Sequence, residues 1–260
     1  MASIVKIYTS AIKDNFRPLF ANWEPGGRVE LGDYGFLEDN VFVYQGNVKD
    51  IGIKFKIRKD DTGDRKSFAS QGTTQTNLSA GASGDVNSVA KVNAEMEIKF
   101  SSEKAVFFNA LDCKTDMIRD KAKLGEKLLE LYKENKWKRS YVVVTDVVHS
   151  GATTIVISGS NDASICFQAD TEVKELDLAD ANLKFHISSQ KNIGYKVVGE
   201  SGLVPLIGFS KIQNKFLWWG KEFNTFSTKS MSPSFIDKVE DKENDPEKVE
   251  MEDLYFGQMK

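Results

Sequence analysis

The side chains that most readily do nucleophilic or proton-transfer chemistry near neutral pH are few. His149, His186, Cys113 and Cys166 are all the histidines and cysteines of the 260-residue chain. A Cys166/His186 pair would make an activated thiolate in principle, but no local signature of a cysteine enzyme surrounds either residue. Two Cys and two His cannot be arranged in zinc-finger spacing. Gly202–Lys211 holds glycines and a lysine without the phosphate-loop pattern. Asn77-Leu78-Ser79 is a formal glycosylation sequon, which acquires meaning only with a secretory signal. His149 precedes a Ser150-Gly151 turn and His186 sits within a strand, so both read as structural. The expectation is a protein that is not an enzyme, with no catalytic residues, no metal and no cofactor.

The remaining chemistry is that of contact. Ile51, Ile53, Phe55 and Ile57 alternate with Gly52, Lys54, Lys56 and Arg58. Period two predicts a strand over 51–58 with one apolar and one basic face. Lys54, Lys56, Arg58 and Lys59 would meet an anionic lipid surface, each contributing about 1 kcal/mol. The competing reading is a solvent-facing edge strand with protective charges. At the other end, 237–260 carries nine acidic residues against four basic, a net charge of −5, which leaves the body 1–236 near +2 of the chain's −3. Residues 237–250 read as a disordered linker. Leu254, Tyr255 and Phe256 then return to bulky apolar character and are expected to dock in an apolar groove on the body; a frayed terminus is the competing reading.

The elements that must position these groups follow from periodicity. Ile4, Ile7, Tyr8, Ala11 and Ile12 predict a helix over 4–17, ended by Pro18. Val41–Tyr44 and Val92–Phe100 read as strands. Residues 67–89 are rich in Ser, Thr, Gly and Ala, which reads either as an extended surface loop or as a segment weak in one fold and able to form long strands in another. Met117, Leu124, Leu128, Leu131 and Tyr132 predict a helix over 116–135. Tyr141–Val148 is a β-branched strand, and Ser150-Gly151 predicts a hairpin to Thr153–Ile157. Further strands are expected at Ile165–Ala169, Leu183–Ile187, Tyr195–Val198 and Val204–Ile212, with Phe216–Trp219 closing the apolar part. The fold class is α+β: a central twisted, mainly antiparallel sheet with a long helix packed on it. No apolar run approaches the about 20 residues of a membrane-spanning helix and no signal-peptide core opens the chain, so a soluble intracellular protein is expected. The net charge of −3 gives no argument for nucleic-acid binding.

The order of Ser79-Ala80-Gly81-Ala82-Ser83-Gly84, the strand Val92–Phe100, the helix 116–135 and the strand Tyr141-Val142-Val143-Val144-Thr145-Asp146-Val147-Val148 resembles the gasdermin family of pore-forming proteins, especially its short bacterial members. The Pepco-type domains are a more remote alternative. The acylated N-terminal cysteine usual in bacterial gasdermins has no counterpart, since the first cysteine is Cys113, and Trp23–Gly35 is not a gasdermin stretch. The resemblance implies a gasdermin N-domain-like body, 1–236, held inactive by an inhibitory C-terminal segment, 237–260. It implies an activating protease, caspase-like or other, that cuts the linker. The body would then leave the cytoplasm for anionic membrane lipids, assemble as a homo-oligomer and open a pore, in bacterial defence and cell death. The alternative is a non-enzymatic lipid- or protein-binding module that forms no pore.

Overall fold

The computed structural model describes residues 3–78, 94–171, 173, 176, 178, 183–198, 202–214 and 254–260. Thus 79–93, the Ser79–Gly84 run, Phe216–Trp219 and the linker 237–250 lie outside the described residues. The chain is a mixed α/β protein whose sheets are mostly antiparallel. In order it forms α1 (Ile4–Asn15), β1 (Leu19–Ala21), β2 (Asp33–Glu38), β3 (Val41–Asn47), β4 (Ile57–Lys59), β5 (Asp64–Ala69), β6 (Thr73–Leu78), β7 (Glu95–Phe100) and β8 (Val106–Ile118). These are followed by α2 (Lys121–Lys133), β9 (Val142–Ser150), β10 (Ala152–Ser158), β11 (Ser164–Ala169), β12 (Phe185–Lys191), β13 (Ile193–Val198), β14 (Leu203–Asn214) and β15 (Leu254–Gln258). Among the described residues they make an eleven-stranded sheet and a four-stranded sheet ordered β12-β11-β7-β6.

Four long runs of chain organise both sheets. β8 pairs with β4 and β5 on one side and with β9 and β10 on the other. β9 and β10 pair in turn with β14 and β13. The tips continue as β6 with β7, β7 with β11 and β11 with β12. The result is two long antiparallel arms side by side, 57–78 with 95–118 in one and 142–169 with 185–198 and 203–214 in the other.

The arms are broken at two levels, and the breaks line up across neighbours. In the first row a Cβ on Gly63 would strike Asp112, itself at φ 49°, and one on Gly151 would lie 3.0 Å from Asp112 Cβ. Gly151 N–H donates to Leu111 O at 2.8 Å, and Gly202 N–H to Ser150 O at 3.1 Å. In the second row Ser101 N–H donates to Gly72 O at 3.0 Å, Lys104 N–H to Ser158 O at 3.1 Å, and Gly159 N–H to Asn192 O at 2.8 Å. Lys104 and Asn192 have φ 65° and 51°. Such bulge-like interruptions bend a strand without ending its pairing.

Ser158 fastens the second row. Its hydroxyl accepts from Ala105 N–H at 2.8 Å and donates to Ser102 O at 2.7 Å in a buried site. Ser158→Ala therefore leaves a buried amide unpaired and is expected to cost about 1–3 kcal/mol, read as a lower urea midpoint with unchanged slope. A midpoint at the wild-type value would show that the row is held by its backbone bonds alone.

Three sequence expectations are corrected. Ser150-Gly151 does not turn a hairpin: β9 and β10 run on in one direction along β8, because Gly151 bonds to Leu111 across the sheet. The helix begins at Lys121 rather than 116, since Ile118 is buried opposite Ile57 in β8 and the Asp120 carboxylate caps Lys123 N–H at 3.0 Å. Met117 is consequently a strand residue opposite Asp146. The strand expected over 51–58 shrinks to Ile57–Lys59, because Gly52, at φ 85°, closes a turn onto Lys49 O. Helix α1, capped by Ser3, keeps its expected extent to within two residues.

The core falls into three clusters. Leu124 and Leu128 of α2 join Val142–Val144, Phe209, Ile212 and Leu254. Tyr8 and Ile12 of α1 cover Phe108, Ile155 and Leu206. Met96, Ile98, Ile165 and Phe167 of the tip sheet pack with Phe107, Leu176 and Leu178. The central β9 and β10 are covered on both faces, which is why their sequence is nearly continuous Val, Ile and Thr.

Candidate functional site

The residues suited to catalysis do not converge. His186, in β12, lies opposite Gln168, and its Nδ1 is 2.6 Å from Asp170 Oδ1 rather than on Cys166. His149 Nε2 is 3.8 Å from Asp116 Oδ2 at the surface. Cys113 is buried against the α1 cluster, and burial pushes its thiol up to about 11. Little thiolate exists there near neutral pH, so Cys113 is a core side chain. Among the described residues no three His, Cys, Asp or Glu side chains gather where they could hold a metal ion.

A cationic groove forms where the start of the first arm meets the start of α2. Buried Ile53 anchors the loop before β4, and Ile57 pairs with Ile118. Arg119 N–H donates to Lys56 O at 2.9 Å, which locks the two segments together. Lys54, Lys56, Arg119 and Lys123 line the resulting groove with Phe55, Leu124 and Asp120; its volume is about 530 Å³. The Lys49 ammonium lies 5.0 Å from the Phe55 ring centroid. Lys54 and Lys56 thus contribute to the groove, whereas Arg58 and Lys59 lie on the exposed β4 outside its lining. The intended apolar face of 51–58 is not formed, since Ile51 is 44% and Ile57 45% exposed.

The second candidate is the seat of the C-terminal strand. β15 pairs antiparallel with β14 from Leu254 opposite Asn214 to Gln258 opposite Ser210. Gln213 Nε2 donates to Gly257 O at 2.9 Å, and Met259 N–H to Phe209 O at 2.9 Å. Leu254 is 5% exposed, inside the α2 cluster. Phe256 packs over Gly125, where an added Cβ would be 2.5 Å from Phe256 Cβ. Tyr255 is 41% exposed, which corrects the expectation that all three residues enter a groove. Strand alternation sends it outward, and the seat is a sheet edge as much as an apolar groove. Beyond Phe256, Gln258 Nε2 donates to Asp146 Oδ2 at 3.3 Å. Asp146 is itself buried, held by Lys121 Nζ at 2.9 and 2.6 Å and by the Thr145 hydroxyl at 2.9 Å.

No protein-family model matches the sequence, and a search of curated proteins finds no match. The arrangement defines a protein of two broken β-arms, a cationic groove and an edge-docked C-terminal strand. Sequence reasoning missed Arg119, Lys123, the Lys121–Asp146 pair and the contact of Gly125 with Phe256. Only Gly125 carried a local signal, as a helix-interior glycine that costs about 1 kcal/mol against Ala and is explained by the close approach of Phe256.

Proposed function

We propose that the chain is a protease-activated pore-forming effector of gasdermin type, non-enzymatic and autoinhibited by its C-terminal segment. The observation that carries this reading is the pair of arms broken in two aligned rows. Beyond the first row each arm is longer than the about 9–11 residues of a tilted membrane strand. Loss of the breaks would convert four bent strands into two straight hairpins with their pairing kept. Two strands of the tip sheet alternate as membrane-barrel strands do, with Met96, Ile98, Ile165 and Phe167 on one face and Glu97 and Lys99 on the other, whereas β6 is polar on both, Thr74 and Thr76 lying beside Lys99 and Glu97 and Thr73, Gln75 and Asn77 on the apolar side. Closing such hairpins into a ring of copies pairs every backbone group in lipid.

In this reading the gasdermin N-domain-like body comprises 1–236, with α2 as the long helix on its sheet. The acidic linker is cut by a caspase-like or other protease, β15 leaves β14, and the body moves from the cytoplasm to anionic membrane lipids and oligomerises. Such effectors act in bacterial defence and cell death. Among the described residues no helix is long and apolar enough to cross a membrane, a statement that leaves strands open. The second reading is a non-enzymatic lipid- or protein-binding module, favoured by the groove, which needs no rearrangement to bind. The test is dye release from anionic vesicles by protein carrying a protease site near Asn244, before and after cutting. Release only after cutting is expected. Cut, folded protein that binds vesicles without releasing dye leaves the binding module.

A further inference from the structure

Where the first arm bends from β5 into β6 lies a second pocket, and one of its walls holds an unsatisfied amide. Asn22 and Asn47 are buried and bond through their side-chain amides, the first to Val204 O and the second to Leu31 O and Asp33 Oδ1. Asn109 is only 8% exposed, yet its carboxamide makes no hydrogen bond among the described residues. Buried polar groups nearly always have a partner, and one without costs stability. Register sets Asn109 opposite Ser67 and Phe107 opposite Ala69, on the face of β8 turned away from α1. Gln75 reaches the same space from β6, on the face it shares with Ile98. Its amide nitrogen donates to Met96 Sδ at 3.2 Å, which leaves the amide oxygen to face a ligand. The pocket, about 260 Å³, therefore joins the two sides of the break at 70–72.

The lining selects the chemistry. Arg65 is its one charged side chain, so a neutral or anionic molecule fits better than a cation. Phe107 and Ala69 supply an apolar wall for a flat ring. A carboxamide offers a donor and an acceptor side by side, the pattern that pairs bidentately with N7 and the N6 amino group of adenine. Guanine in the same pose presents two acceptors, N7 and O6, and would leave the Asn109 oxygen unpaired. Arg65 and Ser67 are exposed at the mouth, where a guanidinium and a hydroxyl suit phosphate and sugar oxygens. We infer that this pocket is a binding site for an adenine nucleotide, its base on Asn109 and its phosphate at Arg65. Held between β5 and β6, the nucleotide ties the arm in its bent form. The site rests on the geometry of the bend alone; its effect on activation rests on the pore-forming reading.

The test is calorimetric titration of the full chain with adenosine monophosphate. Binding is expected, at least about fivefold tighter than for guanosine monophosphate. Adenosine should bind within about tenfold of the nucleotide, and ribose 5-phosphate not at all. Asn109→Leu should abolish binding and melt no lower than wild type, since it removes an unsatisfied buried amide. Gln75→Ala, on the exposed β6, should weaken binding about fivefold and decides the site if Asn109→Leu misfolds. Arg119→Gln should change nothing; loss there with retention in Asn109→Leu places the nucleotide in the cationic groove and overturns the site. Equal binding of the two nucleotides, binding of ribose 5-phosphate as tight as theirs, or no binding at about 1 mM overturns it as well. Bound nucleotide should slow amide exchange at both 64–69 and 73–78, and slowing on one side only overturns the bridge. Saturating nucleotide should slow dye release by cut protein. Nucleotide bound by a chain that never releases dye keeps the site and removes the pore.

Discussion

A single methyl group at Gly125 is expected to unseat the C-terminal strand. Gly125→Ala improves helix propensity by about 1 kcal/mol, so α2 itself should not weaken. The new Cβ would lie 2.5 Å from Phe256 Cβ and 3.1 Å from its ring, and a Cβ cannot swing away as a side-chain tip can. β15 must lift or shift. Its attachment is modest: Leu254 contributes about 1.5–3 kcal/mol at best, offset by about 1–2 kcal/mol of ordering entropy for each residue fixed. Docking therefore depends on the covalent tether, which keeps the strand's effective concentration high. Amide exchange at 254–258 should rise at least tenfold in Gly125→Ala, with the melting of the body unchanged. If the tail is the inhibitor, uncut Gly125→Ala should also release vesicle dye at rates approaching those of cut wild type. Leu254, Tyr255 and Phe256 all changed to Ser should behave likewise. Protected amides in Gly125→Ala would refute the docking geometry. Free amides with tight vesicles would show a docked strand that inhibits nothing.

Lys121→Met is expected to be the most damaging charge removal in the body. Asp146 is 6% exposed, and Lys121 Nζ reaches both of its oxygens. Taking the ammonium away strands a buried carboxylate, with the Thr145 hydroxyl at 2.9 Å and the Gln258 amide at 3.3 Å as remaining partners. Because the Lys121 side chain keeps 28% exposure, the cost should fall at the lower end of the about 3–5 kcal/mol typical of broken buried pairs. Relaxation is restricted from the β14 side: a Cβ on Gly208 would sit 2.7 Å from Asp146 Oδ2, so that backbone is already pressed against the carboxylate. Lys121→Met with Asp146→Asn should recover most of the loss, since an uncharged amide can still accept from Thr145. Urea unfolding of the two variants decides it. A single variant within about 0.5 kcal/mol of wild type, the usual range for surface changes, would show that the pair does not hold α2 to β9.

Both predictions converge on the first two turns of α2. Arg119, Asp120, Lys123 and Leu124 line the groove, while Lys121 and Gly125 face Asp146 and Phe256. One short stretch of helix thus borders the cationic groove and the tail's seat at once.

Much of the local structure was readable from the chain. Ile4, Tyr8 and Ile12 at helical spacing gave α1, and the β-branched run Tyr141–Val148 gave a strand, because periodicity and β-branching record local conformation directly; that this strand is buried on both faces is a result of the fold. The return of Leu254, Tyr255 and Phe256 to bulky apolar character after 237–250 marked a docking segment, of which Leu254 and Phe256 pack inward. Pairing was not readable. Ser150-Gly151 looks alike in a hairpin and in a bent strand, and only the bond from Gly151 to Leu111 on the long β8 chose the latter. Ile51–Arg58 alternates as a strand should, yet the turn at Gly52 and the pairing of Ile57 with Ile118 left Ile51 exposed and Ile53 buried. Tyr255 is outward because its register on β14 puts Leu254 and Phe256 inward. Lys54 and Lys56 were visible as cations, but their partners Arg119 and Lys123 come from the end of β8 and the start of α2. Periodicity is a property of neighbours in the chain. Which distant cations share a groove is decided by the sheet register that brings them together.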